Sequence, residues 1–183
     1  MYIRNFFKHL CVVTRHRYRV FTHCARCGIV WRGLMHDMSK FSPTELFESV
    51  KYFRGYRSPI GACREDIGYS RAWLHHKGRN RHHIEYWQDD DCKDHPVMPY
   101  AFAVECVCDK LAATKIYAGK DYNENLPVEH WLRRGKNVRG NQQTLDFVER
   151  CLDDIRIHGE KHVMNKAYMK KTYAEICEDK KEA

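Results

Sequence analysis

The chain has 183 residues, enough for a single domain of ordinary size to bury a core without staples, and its 31% charged and 43% hydrophobic residues exclude a disordered chain. A formal net charge of +8 predicts attraction for anions such as phosphates, nucleotides or nucleic acid, against the plainer reading that surface Lys and Arg serve solubility. Nine cysteines scattered through predicted helices speak against a disulfide scaffold and for a reducing cytoplasm; no apolar run reaches the ~18 residues of a membrane span, and Arg4, Lys8, Arg15 and Arg17 interrupt any secretory h-region.

Strand signals are weak and apolar residues recur at helical spacings, so the sequence predicts an all-α fold. A first helix over 4–26 ends at Gly28, and a second covers 29–40. Ser42-Pro43-Thr44-Glu45 combines an N-cap serine, proline at the first helical position and glutamate three residues after the cap, a capping-box start for a third helix over 43–53. Three glycines and a proline mark 54–68 as a loop. Helical character resumes over 70–87, with a break near 78–80, before Asp89-Asp90-Asp91 opens another loop. The segment 100–118 is the most apolar and is expected at the centre of the core. Helices over 126–134, 142–158 and 160–178, separated by Gly135, Gly140 and Gly159, complete a chain in which no linker or repeat divides residues 1–183. Disorder is expected only at the ends, as over 178–183.

Twelve histidines stand out, nine of them before residue 96. His9, His16 and His23 are seven residues apart and form one helical stripe beside Val12, Val13 and Val20, so that His16 faces the core. Such a histidine is either a hydrogen-bonded core residue or a ligand. The adjacent pair His36-Asp37 can bind one divalent cation if the backbone aims both side chains at it and other ligands arrive from elsewhere. Cys24-Ala25-Arg26-Cys27 has no second half to complete a zinc site and is taken as packing, as are Cys106 and Cys108.

His36-Asp37-Met38-Ser39-Lys40, together with Val104-Glu105-Cys106-Val107-Cys108-Asp109-Lys110-Leu111-Ala112-Ala113, resembles the signature of the HD-domain superfamily of metal-dependent phosphohydrolases. That signature has a His on an early helix, a later His-Asp pair and a distant Asp. Gly68-Tyr69-Ser70, the segment 73–76 and the segment 80–87 look closer to a little-characterised bacterial and phage family related to it, with no established substrate. The resemblance covers about 9–118, the expected metal-site core, with the C-terminal helices over 126–178 following. It implies a helical bundle of about seven to eight helices and a metal site of His16, His36, Asp37 and Asp109, with His9 and His23 as fallbacks for the first ligand. Lys40 adds a positive charge for phosphate.

Two histidines and two carboxylates suit Mn, Fe, Co, Ni or Mg with open positions, one ion or two, in which a bound water is acidified and a phosphoryl oxygen stabilised. A second cluster, His75-His76 and His82-His83, presents matching rows if its helix is continuous. Three roles compete for it: ligands of a second metal, a phosphate-binding rim with Lys77, Arg79 and Arg81, or a solvated basic face. Glu85 is a candidate general acid or base. The leading expectation is hydrolysis of a phosphate ester, a nucleotide or cyclic nucleotide. The alternatives are a di-iron oxygenase of the HD type and a non-enzymatic module that binds nucleotide or nucleic acid.

Overall fold

An all-α fold fills residues 2–135 and 138–178, those that the computed structural model describes, and no strand occurs among them. Of the stretch 178–183, where disorder is expected, Glu178 closes a π turn and residues 179–183 lie outside the described residues. The amphipathic repeat of the N-terminal segment winds into α1 (Tyr2–Arg26), after which Gly28 takes φ 78° and turns the chain back. The short α2 (Val30–Met35) then approaches α1 so closely that only glycine fits at 33: a Cβ there would lie 2.7 Å from the Cys24 Cβ and 3.0 Å from the Phe21 Cα.

The continuous helix expected over 29–40 is broken. It stops at Met35; His36 is extended, Asp37 turns left-handed, and a 3-10 turn follows at Met38–Phe41. Helix α3 (Pro43–Lys51) begins on the predicted cap, with the Ser42 Oγ accepting from the Glu45 amide. The stretch 54–68, expected as a loop, contains α4 (Pro59–Ile67). Its proline and its last glycine are helix punctuation: Pro59 sits in the first turn, and Gly68 at φ 81° follows the last. Helix α5 (Arg71–Arg79) ends sooner than expected because the Asn80 side chain donates to the His76 carbonyl at 2.8 Å and the chain folds into a turn, with a 3-10 turn at Ile84–Trp87.

Helix α6 (Tyr100–Ala118) runs through the core. Its Val104, Val107 and Leu111 are fully buried and pack in one cluster with Val20 of α1 and with Phe147, Leu152 and Ile155 of α8 (Gln142–His158). Each of these side chains contributes about 1.5–3 kcal/mol by leaving water. Helix α7 (Leu126–Gly135) packs on α6 and α8. The single helix expected over 160–178 is divided into α9 (Glu160–Val163), α10 (Lys166–Tyr173) and a π turn at Ala174–Glu178, since Asn165 caps a new start by accepting from the Tyr168 amide. Ten α-helices therefore stand among the described residues where seven to eight were expected. No described helix is long and apolar enough to cross a membrane.

Candidate metal centre

The break after α2 decides where the site forms. With His36 extended and Asp37 at φ 53°, ψ 31°, two neighbouring side chains turn to one point, a direction that a continuous helix would not give them. Helix α1 brings His16 to that point and α6 brings Asp109. The His16 Nε2 lies 3.0 Å from Asp109 Oδ1 and 3.4 Å from His36 Nε2, which is 3.3 Å from Asp37 Oδ2 and 3.6 Å from Asp109 Oδ1. Nitrogen and oxygen ligands stand about 2.0–2.2 Å from a divalent ion, so donors sharing one ion lie roughly 3–3.6 Å from each other. These four residues meet that requirement and can hold a metal ion.

A second group meets on the other oxygen of the same carboxylate. Asp37 Oδ1 lies 3.4 Å from His76 Nε2 and 3.5 Å from His82 Nε2, and His83 completes the group. The matching rows of a continuous helix are not what joins them. The turn after Asn80 folds His82 and His83 back onto His76, with ring centroids 6.3 and 4.7 Å from it. Asp37 Oδ1, His82 Nε2 and His83 Nε2 are buried without a hydrogen-bond partner among the described residues, although burial of such groups costs free energy unless something satisfies them. His75 lies outside this group. Its Nδ1 donates to Glu45 Oε1 at 2.7 Å.

Two carboxylates hold the ring orientations. Glu105, fully buried on α6, accepts from His36 Nδ1 at 2.9 Å, which leaves Nε2 of His36 to face Asp37. The same oxygen lies 3.3 Å from His82 Nδ1, off the hydrogen-bond line. His36, His82 and Glu105 also come close enough to hold an ion, but the Arg32 guanidinium already supplies positive charge there, 2.6 and 2.7 Å from Glu105 Oε2. Glu45 does the same for the second group, accepting from His76 Nδ1 at 2.8 Å. Neither glutamate was singled out from the sequence. The available signals were a charge inside the most apolar helix, for Glu105, and a capping-box position, for Glu45.

Electrostatics follow from the crowding. Burial works against charge on His36, but the Asp37, Asp109 and Glu105 carboxylates around it outweigh that and hold its pKa well above the ordinary imidazole value. Burial also disfavours charge on Asp37 and Asp109, yet their pKa values stay well below the carboxylate range because His36, Lys40 and His76 face the first, and His16, His36 and His82 the second. Burial pulls His16 down and His83 well down. Glu105 falls to about 2, against burial, through His36 and His82.

A cavity of about 500 Å³ opens on this cluster, and Asp37, His16, His76, His83 and Asp109 form part of its wall. Lys40 and Glu85 line it too, with the Lys40 Nζ 2.7 Å from Asp37 Oδ2. Lys77, Arg79 and Arg81 do not line it; Arg81 is exposed, over the rings of Tyr86 and Phe102. Of the other two stripe histidines, His9 lines the cavity outside the donor groups, and His23 lies beside Glu160, with its Nδ1 3.6 Å from Oε1. Cys24 and Cys27 are fully buried in the core.

Comparison with curated proteins and with solved structures gives no match. A family profile does match, over residues 5–154, which takes in nearly all of α1, the whole of α2 to α7 and most of α8. By that match the chain belongs to a family of unknown function, DUF5662.

Proposed function

We propose that the protein is a divalent-metal-dependent phosphohydrolase of the HD type, acting on a phosphate ester, a nucleotide or cyclic nucleotide. The observation that carries this reading is the Asp37 carboxylate, each oxygen of which faces a separate set of donors at ligand-like spacing. His16, His36, Asp37 and Asp109 would hold one ion, and Asp37 with His76, His82 and His83 a second. Manganese, iron, cobalt, nickel or magnesium fits such nitrogen and oxygen donors. A cation bound there lowers the pKa of water and neutralises charge on a phosphoryl group.

The chain's own residues have definable tasks. Lys40, on the cavity wall beside Asp37, places a fixed positive charge where phosphoryl oxygens would lie. Glu85, on the same wall, would pass a proton to the leaving group. Glu105 and Glu45 keep Nε2 of His36 and His76 turned to the centre. Enclosure in a cavity, rather than exposure on a flat basic face, favours a small ester over a nucleic-acid duplex.

The test is a panel of phosphomonoesters, phosphodiesters and nucleotides with metal-replete protein. Turnover should vanish with EDTA and return with Mn²⁺; a folded, metal-replete protein that hydrolyses none of them would overturn the reading. The histidine-rich second group also suits a di-iron oxygenase, which would bind two irons per chain and consume oxygen.

A further inference from the structure

The cavity carries a second positive pole that phosphoryl chemistry at the metal centre does not use. Burial orders its wall. Asp37, His16 and His76 are buried at the floor, Lys110 of α6 is half-buried, and Arg133 of α7 is exposed at the mouth. No carboxylate of the described residues lies within ion-pair distance of Lys110 or Arg133, whereas Lys40 at the floor is held by Asp37. Glu85 shares the wall and has a partner of its own.

Lys110 is nevertheless fixed in place. Its Nζ stands 5.0 Å above the Trp131 ring, and Trp131 is itself buried and anchored, its Nε1 donating to Glu149 at 3.0 Å. Trp73, Tyr117, Ile60 and Ile116 supply apolar and aromatic wall. A cation held against such a wall without a carboxylate is best satisfied by an anionic ligand.

From this arrangement we infer that the ligand is a small molecule with two anionic groups, a phosphate at the Asp37–Lys40 floor and a second anion at Lys110 and Arg133, joined by an apolar or aromatic body. The inference rests on the phosphohydrolase reading for the chemistry at the floor and narrows its substrate to phosphate esters with a second anionic group, which a cyclic nucleotide or a nucleoside monophosphate lacks. Cavities of this volume are about 10 Å across, the span of a ring bearing groups at opposite ends.

The experiment uses the full chain loaded with Mn²⁺ and two non-hydrolysable probes, phenylphosphonate and 4-carboxyphenylphosphonate, titrated by calorimetry. The carboxylated probe should bind about tenfold tighter. The variant Lys110→Met/Arg133→Ala, which keeps the lysine stem over Trp131, should weaken that probe and bring the two affinities together. Equal affinities in the unaltered protein, a preference that survives in the variant, or binding of neither probe would each overturn the inference. Hydrolysis of phenyl phosphate and 4-carboxyphenyl phosphate is measured alongside. A binding preference with no turnover of these esters or of the wider panel keeps the two-pole site and removes the phosphohydrolase reading; equal binding and turnover of both esters does the reverse.

Discussion

Asp37 is the one described residue other than glycine with a positive φ, a conformation that aspartate and asparagine tolerate better than β-branched residues do. Strain held at a buried carboxylate surrounded by donors marks a position kept for its side chain. Asp37→Asn preserves the backbone preference and removes the charge, so it should keep its helical content and lose metal. Asp37→Val should in addition lose about 1–3 kcal/mol of stability, measured by chemical denaturation, because a branched Cβ opposes the left-handed turn. Glu105 offers a second pair. Glu105→Gln still accepts from His36 Nδ1 but without charge, and metal affinity measured by chelator competition should drop on the order of 10- to 100-fold. Glu105→Leu leaves Arg32 and two imidazoles without their carboxylate in a fully buried place, and should cost about 3–5 kcal/mol. An affinity unchanged in Glu105→Gln would show that the glutamate only fills space.

Among the elements, α2 controls the site although it contributes no donor, because its end sets the direction of His36 and Asp37. Gly33→Ala should push α2 off α1, costing about 1–3 kcal/mol and weakening metal binding together; an alanine variant with native stability and affinity would show that the helices can slide apart freely. Helices α1, α3 and α6 were legible in the sequence because periodicity, a serine-proline cap and a long apolar run all act locally. Helix α4 was hidden because Pro59 and Gly68 count as loop formers until one sees that they bound a helix. The break at His36 and Asp37 was hidden for another reason: nothing local forbids a helix there, and the turn is held from outside, with Arg17 of α1 donating to the His36 and Leu34 carbonyls. Glu45 shows the same limit. Its capping-box position was readable, but the side chain serves His75 and His76. His16, His36, Asp37 and Asp109, which the structure brings together, were grouped in the sequence by a resemblance and not by spacing, which gives no long-range pairing; the meeting of His76, His82 and His83 depends on a turn.

Across the whole molecule, α1 joins the candidate metal centre at His16 to a second polar junction at its far end. There His23 lies buried beside Glu160 of α9, which also accepts from Arg26 and Lys115. Burial lowers the His23 pKa to about 4, with Glu160 opposing and Lys115 and Arg26 assisting. The unfolded chain therefore takes up this proton near pH 6.5 and the folded one only near 4, so the neutral ring's contribution is whole above pH 6.5 and is lost as pH falls towards 4. Denaturation midpoints should fall between pH 7 and pH 5, and His23→Gln should shrink that drop; an identical pH dependence in the variant would place the acid sensitivity elsewhere. The central claim, a metal centre assembled around Asp37 from three separated parts of the chain, is tested most directly by elemental analysis of metal-loaded protein beside Asp37→Ala, with helical content checked by circular dichroism. The structure predicts stoichiometric divalent metal in the unaltered protein and its loss from a folded Asp37→Ala; metal retained in that variant would contradict the site.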